Sequence, residues 1–429
     1  MKHDHQSSDF DVVLVGGGLQ SGLIALSLRQ HHPNARVALI ERDSKIGGNH
    51  TWSFHPSDIP VSCRGWIEPL FQYRWSGYEV RVGKFKRDVS LPYASIQSDY
   101  FEDVILKVFA SANALHRKRR HQQELVASRS ESVNFGPSES VTVAEVEPGW
   151  HLMTDTDVVH VAEDGVLTQG GEFIRGRLVI DCRGPAAQQI QFAGCGYQKF
   201  QGFEIELDED WPTNKPILME SVADQRDGFR FLYVLPFTQR RVLVEDTRFS
   251  DTPDFDPQEC LDLVSKWLGC RGIHRFRIVR KETGVLPMPF TSELPPATSS
   301  PLSGGYAGGW FHAATGYSFP MAAAFAEAVA SGPLEMAKVR VGDLSKKHQL
   351  RSRYSRFLNR LLFKLVAPPH RHSIFRRFYS VLSDTSIARF YSHQFTLGDA
   401  LKIVVGVPPT FIGLCPRRFI ESFFVGEKV

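Results

Sequence analysis

Three groups of residues in this chain have types and spacings suited to chemistry. Gly16, Gly18 and Ser21 follow the apolar run "DVVLVG", and Glu41 closes a second apolar run, "RVALIE". Glycines at the first two positions allow a tight turn and let the backbone approach a pyrophosphate at a helix N-terminus, where free N–H groups and the helix dipole favour an anion. The third position packs helix against strand, and Ser21 is small enough to stand in for the usual glycine. An acid at position 41 can accept both hydroxyls of a ribose and argues against a 2′-phosphate. Further along, "QKFQGFEIEL" (198–207) carries Glu204 and Glu206, and "VLVEDT" (242–247) carries the adjacent acids Glu245 and Asp246. Strand alternation puts Glu204 and Glu206 on one face, so position does not choose between them. Two acids in an apolar strand are costly to bury unpaired. At least one of Glu245 and Asp246 is therefore expected to face a polar cavity or to bond Arg230 or Arg248, an ion pair of purely structural role being the competing account. Asp224, Arg230 and Tyr233 are further polar candidates near the same strands.

These residues need elements to hold them. Residues 11–16 read as a buried strand. Leu19, Leu23, Leu26 and Leu28 then recur at helical spacing, Pro33 and Asn34 break the pattern, and 36–41 reads as a second strand. That is a βαβ unit. "KIGGNHTWSF" places Gly47 and Gly48 just after the acid, where a chain can pass close over a cofactor. "LVIDCRG" (178–184) returns late to a glycine turn at Gly184. "GGYAGGWFHAATGYSFPMAAAF" (304–325) is a glycine run opening a helix, with Thr315, Gly316 and Tyr317 at the opening. Three separated segments converging on one cofactor favour FAD over NAD. The last segment lacks the Gly-Asp pair with which many flavin hydroxylases and reductases hold the ribityl chain. Trp310, Phe311, Tyr317 and Phe319 beside it suit either a core or an apolar substrate chamber.

The expected architecture is α/β: a Rossmann-type FAD-binding flavoprotein fold with an inserted, mainly β substrate domain and a helical C-terminal region. The cofactor domain is expected from 8–80, 150–190 and 300–335, the substrate domain from 81–149 and 191–299, and a basic helical, membrane-associating subdomain from 336–429. Residues 117–140 read as a solvated surface insertion.

Composition narrows the classes. The chain has 429 residues and a net charge of +3, so charge as a whole does not announce a nucleic-acid binder. Six scattered cysteines (Cys63, Cys182, Cys195, Cys260, Cys270, Cys415) form no CxxC pair and no zinc spacing, which suits idle thiols in a reducing compartment and no metal. "MKHDHQSSDF" has neither the apolar core of a signal peptide nor the composition of a transit peptide. No uncharged apolar stretch reaches about 18 residues, so no transmembrane helix is expected. Residues 345–378 hold ten Lys and Arg and no Asp or Glu. With Leu358, Leu361, Leu362, Phe363, Leu365 and Val366, they suit a helix lying on an anionic membrane surface. The expected location is the cytoplasmic face of the cell membrane, as a peripheral protein. No base-reading module accompanies the charge, so nucleic acid is not an expected partner.

"GGNHTWSFH" (47–55), "RFLYVLPF" (230–237) with "VLVEDT" (242–247), and "HAATGYSFP" (312–320) resemble the bacterial lycopene β-cyclases, essentially from residue 10 to the C-terminus. The resemblance implies non-redox closure of β-rings at the ends of linear lycopene, giving β-carotene, with reduced FAD as cofactor and NADPH or NADH as electron source. It implies related acyclic carotenoids as further substrates and association with other enzymes of the same pathway. Such a reaction needs a carboxylic acid that is protonated near neutral pH, a dry pocket and an electron-rich neighbour for the cation. The family's proposed proton donor aligns with Glu204, and Glu245 and Asp246 match a family motif of adjacent acids associated with activity. Burial of Glu204 among Phe200, Phe203 and other aromatics would favour the uncharged acid. Trp52, Phe54, Phe231 and Trp310 could offer ring faces to the cation. His50, His55 and His312 lie in the resembling motifs without an assigned role. The alternative is a redox flavoprotein acting on an isoprenoid, a reductase or monooxygenase, whose product would differ in mass from its substrate.

Overall fold

The computed structural model describes residues 9–130, 149–184, 194–290 and 301–405. The chain opens with the βαβ unit that the sequence predicts: β1 (Phe10–Val15), α1 (Leu19–His31) and β2 (Val37–Ile40). It continues through β3 (Thr51–Phe54), β4 (Tyr73–Trp75), β5 (Tyr78–Val82), β6 (Phe85–Val89), β7 (Tyr93–Gln97) and the long α2 (Ser98–Ser130). Then come β8 (Trp150–Met153), β9 (Val158–Val161), β10 (Gly165–Thr168), β11 (Phe173–Asp181), β12 (Cys195–Leu207), β13 (Ile217–Ser221), β14 (Phe229–Pro236) and β15 (Arg241–Ser250). After α3 (Pro257–Gly269), β16 (Phe276–Pro289) and β17 (Leu302–Ser303), the rest is helical: α4 (Phe319–Ala330), α5 (Ala337–Arg360), α6 (His372–Val381), α7 (Asp384–Tyr391) and α8 (Leu397–Val404).

The strands form three sheets. The first runs β8-β2-β1-β11-β10-β9, with β17 pairing β11; β8, β2, β1, β11 and β17 run parallel. Central β1 is almost wholly apolar because both its faces are covered: Val12 and Leu14 share a core with α1, α2 and α4, and Phe10, Val13 and Val15 pack with Val158 of β9 and Val166 of β10. The second is antiparallel over β16-β12-β15-β14-β13, with β5 and β6 added at its far edge. The third, β3-β7-β4, is small. Its strand β3 joins the two larger bodies: Trp52 packs on Phe101 of α2, and the Thr51 hydroxyl donates to Glu282 of β16 at 2.8 Å.

Two details differ from the sequence expectations, and a third lies largely outside the described residues. Helix α2, expected with the substrate domain, packs on the cofactor sheet instead: Phe101, Ile105, Phe109 and Ala112 share one core with α1 and β8. The supposed insertion at 117–140 falls largely outside the residues whose side chains are described. The apolar residues of 345–378 do not make an outward face. Leu362, Phe363 and Val366 are buried, with Leu362 and Phe363 in the core of the second sheet, where the Phe363 ring occupies the space that a side chain at Gly196 would need. Asn359 donates to the carbonyls of Pro289 (3.0 Å) and Ala313 (2.7 Å), so α5 straps the second sheet to the 304–318 segment. The cations Lys346, Lys347, Arg351 and Arg353 remain exposed.

The close-packing role expected of Ser21 is shared with its neighbour. Ser21 is fully buried beside Cys182, but the tight approach is at Gly22, where a Cβ would stand 2.1 Å from Cζ of Phe101. Phe101 is itself fully buried and wedged beneath Trp52 and Gly47, so it has no room to retreat. Gly22→Ala is expected to lower unfolding stability by about 1–3 kcal/mol through overpacking, despite the better helix propensity of alanine. Urea denaturation measures this, and an unchanged midpoint would contradict it.

Candidate functional site

The first half of the site lies at the C-terminal ends of β1 and β11, where open parallel sheets bind ligands. Gly16 has φ +91, a conformation that side chains resist, and the chain turns there. A Cβ on Gly17 would stand 2.6 Å from Ile46, while around Gly18 and Gly184 nothing lies within 4 Å. The ends of these neighbouring strands therefore border open ground at the N-terminus of α1. Glu41 closes one side: its carboxylate accepts from the N–H of Gly17 at 2.5 Å and of Asp43 at 2.9 Å. Gly47 (φ +84) and Gly48 (φ +63) fold the following segment back, and the Gly47 N–H donates to the Gly17 carbonyl at 2.8 Å. Such a cradle of glycine backbone, free helix N–H groups and one acid fits a dinucleotide with two hydroxyls on its ribose.

The second half lies on one face of the antiparallel sheet. In register across four strands stand Tyr233 (β14), Glu245 (β15), Gly202 (β12) and Glu282 (β16). The adjacent row of that face is Leu235, Leu243, Glu204 and Arg280; the row on the other side is Phe231, Thr247, Phe200 and Gly284. Glu204, Glu245 and Glu282 are all buried. Glu206 shares the alternation but sits at the rim, exposed and paired with Arg277. The choice that spacing left open is thus made by burial.

The partners of the three carboxyls are unequal. Glu204 Oε2 accepts from Gln97 (2.6 Å) and from Nε of Arg280 (2.9 Å), and Nε of Arg241 approaches its Oε1 at 2.7 Å without hydrogen-bond alignment. These are the contacts of an ion-paired carboxylate, and they correct the picture of a solitary acid among aromatic rings. Glu282 accepts from Arg280 (2.8 Å) and from Thr51 (2.8 Å). Glu245 accepts from the Thr247 hydroxyl at 2.5 Å and has no cationic partner among the described residues. Burial, and then the nearby charge of Glu282, push the Glu245 carboxyl up to about 8; burial also raises Glu282, against the pull of Arg280. Nothing in the sequence pattern marks Glu282. Its neighbours "RKETG" (280–284) read as a polar strand edge, and only the register brings it opposite Gly202.

Adjacent acids on a strand point to opposite faces, and Asp246 accordingly lies on the other side of the sheet from Glu245. There it accepts from Arg230 (2.6 Å) and Arg248 (3.1 Å) at the side of α3, and Arg230 also reaches Glu259 at 2.6 Å. Asp224 pairs with Arg226 at the surface, whereas Tyr233 stays on the face of Glu245, its hydroxyl 2.9 Å from that of Tyr93.

Few residues separate the two halves. Gly47 is tied to the cradle and Thr51 to Glu282, so four residues, at most about 14 Å of extended chain, separate the glycine turn from the carboxyl cluster. The 312–320 segment seals the junction. A Cβ on Gly316 (φ +67) would stand 2.8 Å from Leu286, Thr315 Oγ1 accepts from the Tyr317 N–H at 3.4 Å, and the Tyr317 hydroxyl accepts from the His55 N–H (3.1 Å) and donates to Asp58 (3.3 Å). Thr315, Gly316 and Tyr317 thus lie against β16 and the His55–Asp58 segment. His55 bonds Asp58 (3.2 Å) and Tyr78 (3.3 Å), and burial holds the His312 imidazole down to about 3. Of the rings expected to face a cation, Phe54 stacks on Phe319 at 4.0 Å and Trp310 packs on Phe325, both as core. Trp52 is half-buried, and Phe231 lies on the carboxyl face.

A parallel sheet with a glycine cradle joined to a broad antiparallel sheet is the fold of a class of flavoenzymes. Solved structures sharing it include a geranylgeranyl bacteriochlorophyll reductase-like protein from Thermoplasma acidophilum, at 12% identity and TM-score 0.55 over 97% of this chain and 99% of that one. The flavin-dependent brominase Bmp2 is similar at 13% identity and TM-score 0.53, covering 97% of this chain and 98% of its own. Within that class the chain belongs to the lycopene cyclase family, whose model matches residues 11–142 and 151–413. It is 32% identical to the lycopene beta-cyclase of Pseudescherichia vulneris over 96% of this chain and 98% of the relative, and 33% identical to that of Pantoea ananas over 93% and 95%.

The two acids of "VEDT" are expected to separate experimentally. Asp246→Asn removes the one buried carboxylate that Arg230 and Arg248 share, leaving them only the half-exposed Glu259 and Asp227, and should cost about 3–5 kcal/mol of stability. Glu245→Gln, at a site with no cationic partner, should leave the unfolding midpoint within the range of an ordinary substitution, about 1 kcal/mol. Equal losses for the two variants would contradict this division.

Proposed function

We propose that the protein is a lycopene β-cyclase that works with reduced FAD and closes a β-ring at each end of the linear C40 polyene without net oxidation or reduction. The observation that carries this reading is the cluster of three buried carboxyls sharing two guanidiniums, a short chain segment away from a nucleotide cradle. Such a cluster retains a proton at neutral pH, and Glu245 is where it resides. Gly16, Gly18, Glu41, Gly47, Gly48 and Gly184, with Ser21 in the helix behind them, would hold FAD. Bound in its reduced form, with NADPH or NADH supplying the electrons, it would present electron density to a neighbouring positive charge.

Glu245 gives its proton to the terminal double bond of the polyene, leaving a tertiary cation. The electron pair of the neighbouring double bond closes the six-membered ring and moves the charge to a ring carbon. Loss of a proton from the adjacent carbon then forms the β-ring double bond, so the product is an isomer of the substrate. The carboxylate of Glu204, fixed by Arg280 and Gln97, lies one row away on the same face and opposes the migrating charge. In a site closed to water such fixed groups act at full strength. Asp246 serves from behind the sheet by holding β14 and β15 together.

The substrate reaches this site from a membrane. Moving a C40 hydrocarbon from oil into water costs on the order of 30 kcal/mol at about 0.8 kcal/mol per CH₂, so transfer must avoid the aqueous phase. No helix among the described residues is long and apolar enough to cross a bilayer. Peripheral attachment is supported by the exposed cations of α5 and by Leu397 and Leu401 of α8 with Val405 just past its end, which are spaced four apart and exposed at 86%, 62% and 64%. The apolar contact is proposed there, since Leu362, Phe363 and Val366 are buried.

The test is anaerobic incubation of the purified protein with FAD, NADPH or dithionite, and lycopene in anionic liposomes. A bicyclic product of unchanged mass is expected, carrying deuterium in each ring when the reaction runs in deuterated water. Glu245→Gln should lower turnover by about 10²–10⁴. A hydrogenated or oxygenated carotenoid would overturn the proposal in favour of a redox flavoenzyme.

A further inference from the structure

We infer that Glu282 is a positioning residue for the cyclisation: it leans across Gly202 toward Glu245, and its charge sets the pH range over which Glu245 keeps a proton to give. This rests on the reading of Glu245 as the proton donor.

Glu245 and Glu282 belong to the two strands that flank β12, and both pair in register with Gly202. Across two strand spacings, roughly 10 Å, side chains at these positions normally have a third side chain between them. Here there is none. A Cβ on Gly202 would stand 2.8 Å from Cγ and 3.2 Å from Oε1 of Glu282, and 3.2 Å from Cδ1 of Leu243, so the space above the glycine is taken chiefly by the Glu282 side chain with the edge of Leu243 beside it. Any other residue at 202 would push Glu282 away from Glu245. The far side of Glu282 is fixed: Arg280 and Thr51 both donate to its Oε2, and Arg280 also donates to Thr51 at 2.6 Å. Oε1 is left on the Gly202 side. Two carboxyls held face to face in a buried site cannot both ionise readily, and they titrate as a pair.

The charged and titratable groups facing the pair are Glu204 from β12, Tyr233 from β14, Arg241 from β15 and Arg280 from β16, with Tyr93 and His50 from the segments above. Of these charged groups, Arg280 is the one described as bonding Glu282, and Thr247 is the described hydrogen-bond partner of Glu245. Arg280 therefore anchors one member of the pair, while the other keeps its proton. The sign follows: activity that needs protonated Glu245 is present below the apparent value of the pair and lost as pH rises through it.

Glu282→Gln removes the like charge and leaves Arg280 with Glu204 as its remaining carboxylate partner, and both effects favour ionised Glu245. The alkaline limb of the kcat/KM profile for lycopene is expected to move down by about one pH unit, with little change at the acid end of the plateau. Glu282→Asp keeps the charge and should keep the limb near the wild-type position, which separates charge from lost bulk. Gly202→Ala, which forces Glu282 aside, should move the limb in the same direction as Glu282→Gln. An alkaline limb that stays in place in Glu282→Gln, or moves equally in Glu282→Asp, overturns the inference. Should Glu282→Gln fail to fold, Gly202→Ala decides on the same criterion. If the wild-type protein forms no ring at all, the proposed function fails instead, so the two failures are distinguishable.

Discussion

A carboxyl group can be buried beside another only if a proton or a cation offsets one of the charges. The interior of this protein is arranged around that constraint. Three glutamates share one sheet face with a buried guanidinium, Arg280, and a half-exposed one, Arg241. Arg280 divides itself between Glu204 and Glu282, and Glu245 receives only a hydroxyl. The uncompensated carboxyl therefore lies in the middle of the sheet, in one row with Tyr233 and beside the row of Phe231. In a buried place of this kind fixed charges act strongly on a developing cation.

The rest of the fold keeps this arrangement in place. Strand β3 closes the carboxyl face from above, through Thr51 and Asn49 onto Arg280 and Glu282. The same strand begins at the glycine pair tied to the cofactor cradle, so the segment that would pass over a flavin also holds the acid cluster. Behind the sheet, Asp246 with Arg230 and Arg248 fixes the two strands from which Tyr233 and Glu245 project. Leu362, Phe363, Tyr379 and Ile387 of the C-terminal region join the sheet's core, while Lys346, Lys347, Arg351 and Arg353 stay outside.

Much of this was legible in the sequence, for identifiable reasons. The βαβ unit declares itself because a buried parallel strand must be apolar throughout and must end in glycine to reach a phosphate, as residues 12–18 do. Gly47, Gly48 and Gly316 sit at positive φ where the motifs placed them. Long-range pairing was less visible. Glu282 lies in a polar stretch and acquires its meaning only from a register with Gly202, 80 positions away. The sequence left open whether Glu245 or Asp246 would bond Arg230 and Arg248, and only the register of the strands puts Asp246 with both. The reading of Glu204 among aromatic rings did not include Arg280 and Arg241, whose sequence positions give no hint that they converge on it. The leucines of 358–366 were read as outward because amphipathic spacing reports that a helix has an apolar side, not which neighbour covers it.

The central claim is that Glu245, and not Glu204, is the carboxyl that carries a proton at neutral pH. Difference infrared spectroscopy in the carboxylic-acid carbonyl region, comparing the wild-type protein at pH 7 with Glu245→Gln and Glu204→Gln, tests it most directly. The account predicts a protonated-carboxyl band that disappears in Glu245→Gln and persists in Glu204→Gln. A band that persists in Glu245→Gln and is lost in Glu204→Gln, or no such band in the wild-type protein, would contradict it.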